Sequence, residues 1–257
     1  MDSSRPGASS AVSTRISVIV ITAVLYAVGK WLTASIPTPW GVGELLVGIF
    51  LPAIMVLMAE TLPAAIGAGL GTFLGDFLVR TNPALSLVAG VPANFIAFLL
   101  FGWFVKRYRS WPAFVAGTVA FVTLGNLIAA TNVYLFAAQL IGVSLPSSAV
   151  LGLTIFWNTT SIPAIIIAVP LLVRALRPLQ GRSRMLSYYP AWSASLGGRQ
   201  VTLSLVFALL FIAFGGVIFL VSPASVATDP GLGYFAFAGL LVVVFGPLSS
   251  LLAGSKA

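Results

Sequence analysis

Between residues 16 and 175 the chain passes through six stretches in which apolar side chains follow one another for roughly 18 to 30 residues, separated by short polar turns. Runs of this length constrain the fold more than any motif does. A helix needs about 20 mostly apolar residues to cross a bilayer. Within lipid every backbone N–H and C=O must be satisfied inside the segment, which a helix achieves. The stretches are 16–35, 43–60, 62–80, 84–105, 112–141 and 149–175, and two more follow at 201–222 and 233–253. The expected fold is therefore an all-α polytopic membrane protein of eight spans. Only 7% of the residues are charged, against about 25% in soluble domains, too few to cover a soluble surface of this size.

The basic residues set the expected orientation. With both termini in the cytoplasm, that side holds Arg5, Arg15, Lys106, Arg107 and Arg109, the arginines between 174 and 199, and Lys256. The outer side is left with Arg80, and Lys30 lies inside the first span. This is the lysine and arginine bias of multi-pass proteins of the cell membrane, and it accounts for the net charge of +8 without nucleic acid. A cleavable leader is disfavoured, because Lys30 and Trp31 interrupt the end of the first apolar run. The organisation read from this pattern is a cytoplasmic tail (1–15), a six-helix membrane domain (16–178), a basic linker (179–200) expected to lie on anionic headgroups, and a C-terminal helical pair (201–257). The chain has no cysteine, no histidine and five acidic residues. Thiolate or imidazole metal sites, haem ligation by His and paired-carboxylate catalysis are disfavoured, and neither enzyme chemistry nor a cofactor is expected.

Ionisable and amide side chains inside a bilayer are costly, and each needs a partner or a function. With the orientation above, Lys30, Glu44, Asp76, Asn94, Asn126, Tyr134, Trp157 and Asn158 gather in the outer half of the bundle. Ser86, Gly90 and Asn94 share one helix face at i, i+4, i+8. Thr123, Asn126, Ala130 and Tyr134 share another, and Thr154, Asn158 and Ser161 a third; Asn132 points away from its stripe. Such residues either bind a ligand or hydrogen-bond between helices. The common depth favours an outward pocket lined by Glu44, Asn94, Asn126, Tyr134, Trp157 and Asn158. Trp40, in the Pro- and Gly-rich loop "SIPTPWGVGE", serves as a lid or an interfacial anchor, whereas Trp31, Trp103 and Trp111 read as interfacial belt residues. Gly67, Gly71 and Gly75 form a smooth face for tight helix packing. Asp76 and Arg80, at i, i+4, are placed to pair, and Glu60 falls at the solvated cytoplasmic end of the second span. For Lys30 three roles stay open: snorkelling to the outer headgroups, pairing with Asp76, or touching a substrate.

Residues 1–178 resemble the substrate-binding S components of energy-coupling factor transporters. The resemblance is carried by "ITAVLYAVGKWLTASIPTPWG", by "LPAIMVLMAETLPAAIGAGLGTFLGDFL" and by "GVPANFIAFLLFG". It implies a six-helix bundle that captures a vitamin or similar micronutrient from outside, in a pocket among the fourth to sixth helices. It also implies a membrane coupling subunit and two cytoplasmic ATPases that drive toppling and release inside. Ala23 and Ala27 match the family's Ala-xxx-Ala contact with the coupling subunit. The chain has no Gly-x-x-x-x-Gly-Lys-Ser/Thr phosphate loop, so an ATPase must be another chain. The two C-terminal helices depart from the six-helix plan. Lys30, Arg80 and the amides are compatible with an anionic substrate. The alternatives are an accessory subunit of a larger membrane complex that reuses this fold, and a self-contained secondary transporter.

Overall fold

The computed structural model describes residues 8–34, 38, 40–80, 83–179, 182–190, 192, 202 and 206. The expected seventh and eighth spans lie outside the described residues, apart from Thr202 and Val206. The described part is helical: α1 (Ala8–Thr33), a 3-10 turn at Val47–Ile49 running into α2 (Phe50–Met58), α3 (Thr61–Val79), α4 (Ala84–Val88), α5 (Gly90–Tyr108), α6 (Trp111–Ile141) and α7 (Ser148–Leu176). Among the described residues five helices are long and apolar enough to cross a membrane, with α4 and α5 counted as one. The expected second span, 43–60, is instead a helix of Val47–Met58. At 1.5 Å per residue it is too short to cross a hydrocarbon core, and the chain before it is loop.

Lipid offers no hydrophobic drive for helix association, so close packing must supply it. The glycine stripe of α3 does this. A Cβ on Gly67 would lie 2.6 Å from the Ile19 carbonyl oxygen, one on Gly71 2.8 Å from that of Ala23, and one on Gly75 2.9 Å from the Lys30 Cδ. Both series ascend together, so α1 and α3 run parallel, backbone nearly against backbone. This overturns one expectation. Ala23 and Ala27 are each only 4% exposed, and Ala23 faces Gly71 within the same chain. Ala23 belongs to the α1–α3 seam and Ala27 is equally buried, so neither side chain is open to a coupling subunit in this structure. The exposed face of α1 carries Val20, Val24, Val28 and Trp31.

The expected fourth span, 84–105, is broken at Ala89. Pro92 has no N–H to give the carbonyl of Val88, four residues earlier. The Asn132 side chain on α6 supplies the missing donor, Nδ2 to Val88 O at 2.8 Å. α6 starts where Ser110 caps it, its Oγ accepting from the Ala113 N–H at 3.3 Å, and ends at Gly142 with φ of 71°.

Among the described residues, the basic side chains other than Lys30 and Arg80 fall toward one end of the bundle. Arg15 pairs with Glu60 at 2.8 Å, both side chains about half exposed. Lys106 donates to the carbonyl oxygen of Ala59, at the C-terminus of α2 where cations are favoured, and to Thr61 Oγ1 at 2.9 Å. It also lies 5.2 Å from the Tyr188 ring centroid. The described part of the linker folds back onto this end, with Arg182 and Arg184 exposed. Tyr188 N–H bonds the Met58 carbonyl at 2.9 Å, and the buried Trp192 ring stacks on Phe114 at 4.7 Å. Trp111, expected in the interfacial belt, is buried against both rings, whereas Trp31 and Trp103 are exposed.

Candidate functional site

At the opposite end of the bundle the loop 38–46 turns inward. The Thr38 N–H bonds Gly43 O at 3.0 Å, and its Oγ1 donates to Val42 O at 2.7 Å. Gly43 has φ of 87°, and a Cβ there would stand 2.6 Å from the Trp157 ring, so glycine satisfies both the backbone and the fit,. The loop carries Val42 and Glu44 into the interior, 2% and 4% exposed. Glu44 is thus a buried loop residue and not the outer edge of a helix.

Glu44 completes a closed cycle of four charges. Lys30 Nζ lies 3.1 Å from Glu44 Oε1 and also pairs with Asp76 Oδ1. Arg80 pairs with Glu44 Oε2, and its Nε lies 3.7 Å from Asp76 Oδ1. Each carboxylate meets both cations, and the sum of charge is zero. Burial pushes the Glu44 carboxyl up, but the charges of Lys30 and Arg80 and their hydrogen bonds outweigh it and hold it below the usual carboxylate range,. Of the three roles open to Lys30, pairing with Asp76 is present, and snorkelling is not: the side chain is 6% exposed. The cycle ties α1, the inward loop and the end of α3 together.

A partly open cleft of about 700 Å³, its open mouth included, lies against this cycle. Lys30, Glu44, Asn94, Asn126 and Trp157 line it. The stripe Ser86, Gly90, Asn94 lines it as a unit, carried across the α4–α5 break. Asn94 Nδ2 donates to Thr72 Oγ1 at 2.9 Å, and Asn126 Nδ2 to Asn158 Oδ1 at 2.8 Å. Leu46, Leu85, Ala89, Val133 and Ile141 make the wall apolar. Three buried polar atoms here have no hydrogen-bond partner: Ser86 Oγ, Trp157 Nε1 and Asn158 Nδ2. Leaving such groups unpaired is expensive, and they lie behind the cleft wall, out of reach of its surface.

Three residues named from the sequence sit elsewhere. Asn158 is fully buried behind Asn126 and orients it. Tyr134 is 38% exposed and not among the cleft's lining residues. Trp40 packs on α7, where a Cβ on Gly152 would stand 2.2 Å from its ring; it anchors the loop without lining the cleft. Thr72, Ser86, Asp76 and Arg80 do line it. Lys30 and Arg80, compatible by sequence with an anionic substrate, are both already engaged by carboxylates. Comparison with family models, with curated proteins and with solved structures yields no match to this chain.

Proposed function

We propose that the chain is a membrane-embedded substrate-binding protein that captures a small molecule in this cleft from the outer face of the cell membrane. The observation that carries the reading is the convergence on one partly open cleft of polar side chains from α1, α3, α5, α6 and α7. The outward assignment follows from the basic residues at the other end, and both termini then lie in the cytoplasm. The resemblance to S components extends the proposal to uptake of a vitamin or similar micronutrient. In that scheme a coupling subunit and two ATPases act as separate partners, with contacts other than Ala23 and Ala27.

The test is retention. Protein purified from its native membrane is denatured, and released small molecules are identified by mass spectrometry, beside Asn94→Ala and Trp157→Phe variants. A compound held by the parent protein and reduced about tenfold in either variant supports the proposal; that corresponds to losing a hydrogen bond of about 1.4 kcal/mol. Retention unchanged in both, or no compound in the parent, refutes it. One set of contacts favours a second reading, a structural subunit of a membrane complex: Asn126 donates to Asn158 between helices, and the four charges close on themselves. Under that reading the same variants change stability and no small molecule is found.

A further inference from the structure

The closed ion cycle determines what kind of molecule the cleft accepts. Lys30, Glu44 and Asp76 have side chains only 5–10% exposed, and Arg80 is 29% exposed. A ligand anion drawn to Lys30, or to Nε and Nη2 of Arg80, would have to displace Glu44 or Asp76 and strand a buried carboxylate, and one at the exposed edge of the guanidinium would meet a cation already offset by both carboxylates. A ligand cation would have to draw a carboxylate from Lys30, which is itself buried. Either exchange breaks a pair whose remaining member has no water to turn to, and this is the costly way to open a buried salt bridge.

The groups still free to bind are neutral. Apart from the cycle, the polar side chains on the cleft wall are those of Thr72, Ser86, Asn94, Asn126 and Trp157, none of which carries a charge,. Asn94 has given its amide N–H to Thr72 and keeps its oxygen as an acceptor. Between them lies the apolar wall of Leu85, Ala89 and Val133. We infer that the cleft selects a polar molecule without formal charge, held by hydrogen bonds to its neutral polar lining and turning an apolar body toward α4 and α6. The ion cycle excludes charged compounds and is not itself the binding group. This rests on the substrate-binding reading above and specifies its ligand class.

The experiment uses the full-length chain in lipid nanodiscs. It is equilibrated with a mixture of several hundred polar metabolites that includes acid and amide forms of the same skeletons, washed, and its retained compounds are identified by mass spectrometry. Retention of uncharged compounds, with each acid form at least tenfold poorer than its amide, supports the inference. Retention of anions, cations or zwitterions equal to or better than their uncharged counterparts overturns it and leaves the binding reading standing. Retention of nothing overturns both. Asp76→Asn makes the cleft sum +1 and is expected to bring acid forms up to or above their amides. Arg80→Gln, at the more exposed corner, makes it −1 and is expected to favour amines. If neither variant that folds changes the charge preference, the cycle does not set selectivity and the inference falls.

Discussion

Replacing Lys30 by methionine is the sharpest test of the ion cycle. The substitution keeps the apolar stem that lies along Gly75 and removes only the ammonium. Lys30 Nζ stands 3.1 Å from Glu44, which corresponds to about 5 kcal/mol of attraction at an effective dielectric of about 20. Asp76 on its other side adds a second attraction. Against these stands the desolvation the ammonium no longer suffers, so the expected net loss is the roughly 3–5 kcal/mol typical of orphaning a buried charge. Two buried carboxylates would then share Arg80. For a chain of this size about 2–4 °C accompanies each kcal/mol, and Lys30→Met should lower the melting temperature in detergent by roughly 6–20 °C, read by tryptophan fluorescence. Lys30→Met combined with Asp76→Asn leaves a neutral Glu44–Arg80 pair and should regain more than half of the loss, which makes the two sites strongly non-additive. A single variant melting within about 2 °C of the parent, or a double variant no better than the single, would refute a closed and buried cycle.

The remaining predictions concern packing. Asn132→Ala strands the Val88 carbonyl and should cost about 1–3 kcal/mol in thermal unfolding; adding Pro92→Ala restores a backbone donor and should recover part of it, whereas no recovery would sink the proposed role of Asn132. Gly71→Ala places a Cβ 2.8 Å from the Ala23 oxygen and should destabilise by about 1–3 kcal/mol through forced separation of α1 and α3. Gly75→Ala meets the Lys30 stem, not backbone, so its loss should shrink in a Lys30→Ala background while that of Gly71→Ala does not. Ala23→Trp should prevent a monodisperse preparation on size exclusion; a well-folded variant would show that the seam is open.

Much of the helical layout could be read from apolar run length, because a spanning segment must satisfy its own backbone and stay apolar for its whole length. The expected limits of the fifth and sixth spans, 112–141 and 149–175, lie within a residue of α6 and α7. The second span misled because Val42, Leu45 and Leu46 surround a single acid, Glu44, in an otherwise apolar run, and run length cannot tell a loop folded inward from a helix. Gly41 and Gly43, both at positive φ, were the available signal. Asn132 was set aside because helical periodicity compares positions within one helix, whereas its partner is a carbonyl freed by Pro92 on another. Ala23 and Ala27 read as an open face for a similar reason: small residues indicate that something packs closely, not which helix it is. Ser86, Gly90 and Asn94 were legible as a stripe because a short break did not move them off one side.

The glycine face and the charged site are one device. Gly67 and Gly71 bring the α1 backbone against α3, and that approach fixes the register of the two parallel helices. The register carries Lys30 to Gly75, where the missing Cβ leaves room for its stem, 2.9 Å at Cδ and 3.1 Å at Cβ from where the atom would stand. The ammonium then falls between Asp76, next along α3, and Glu44 on the inward loop. A larger residue at 75 would move the lysine stem, and without the lysine the two carboxylates would compete for Arg80. The stripe that reads as packing alone therefore also decides where the cleft's charges stand, and so why they cancel. If the cleft binds a ligand as proposed, it is this cancellation that leaves hydrogen bonds and shape, and not charge, as the means of recognition.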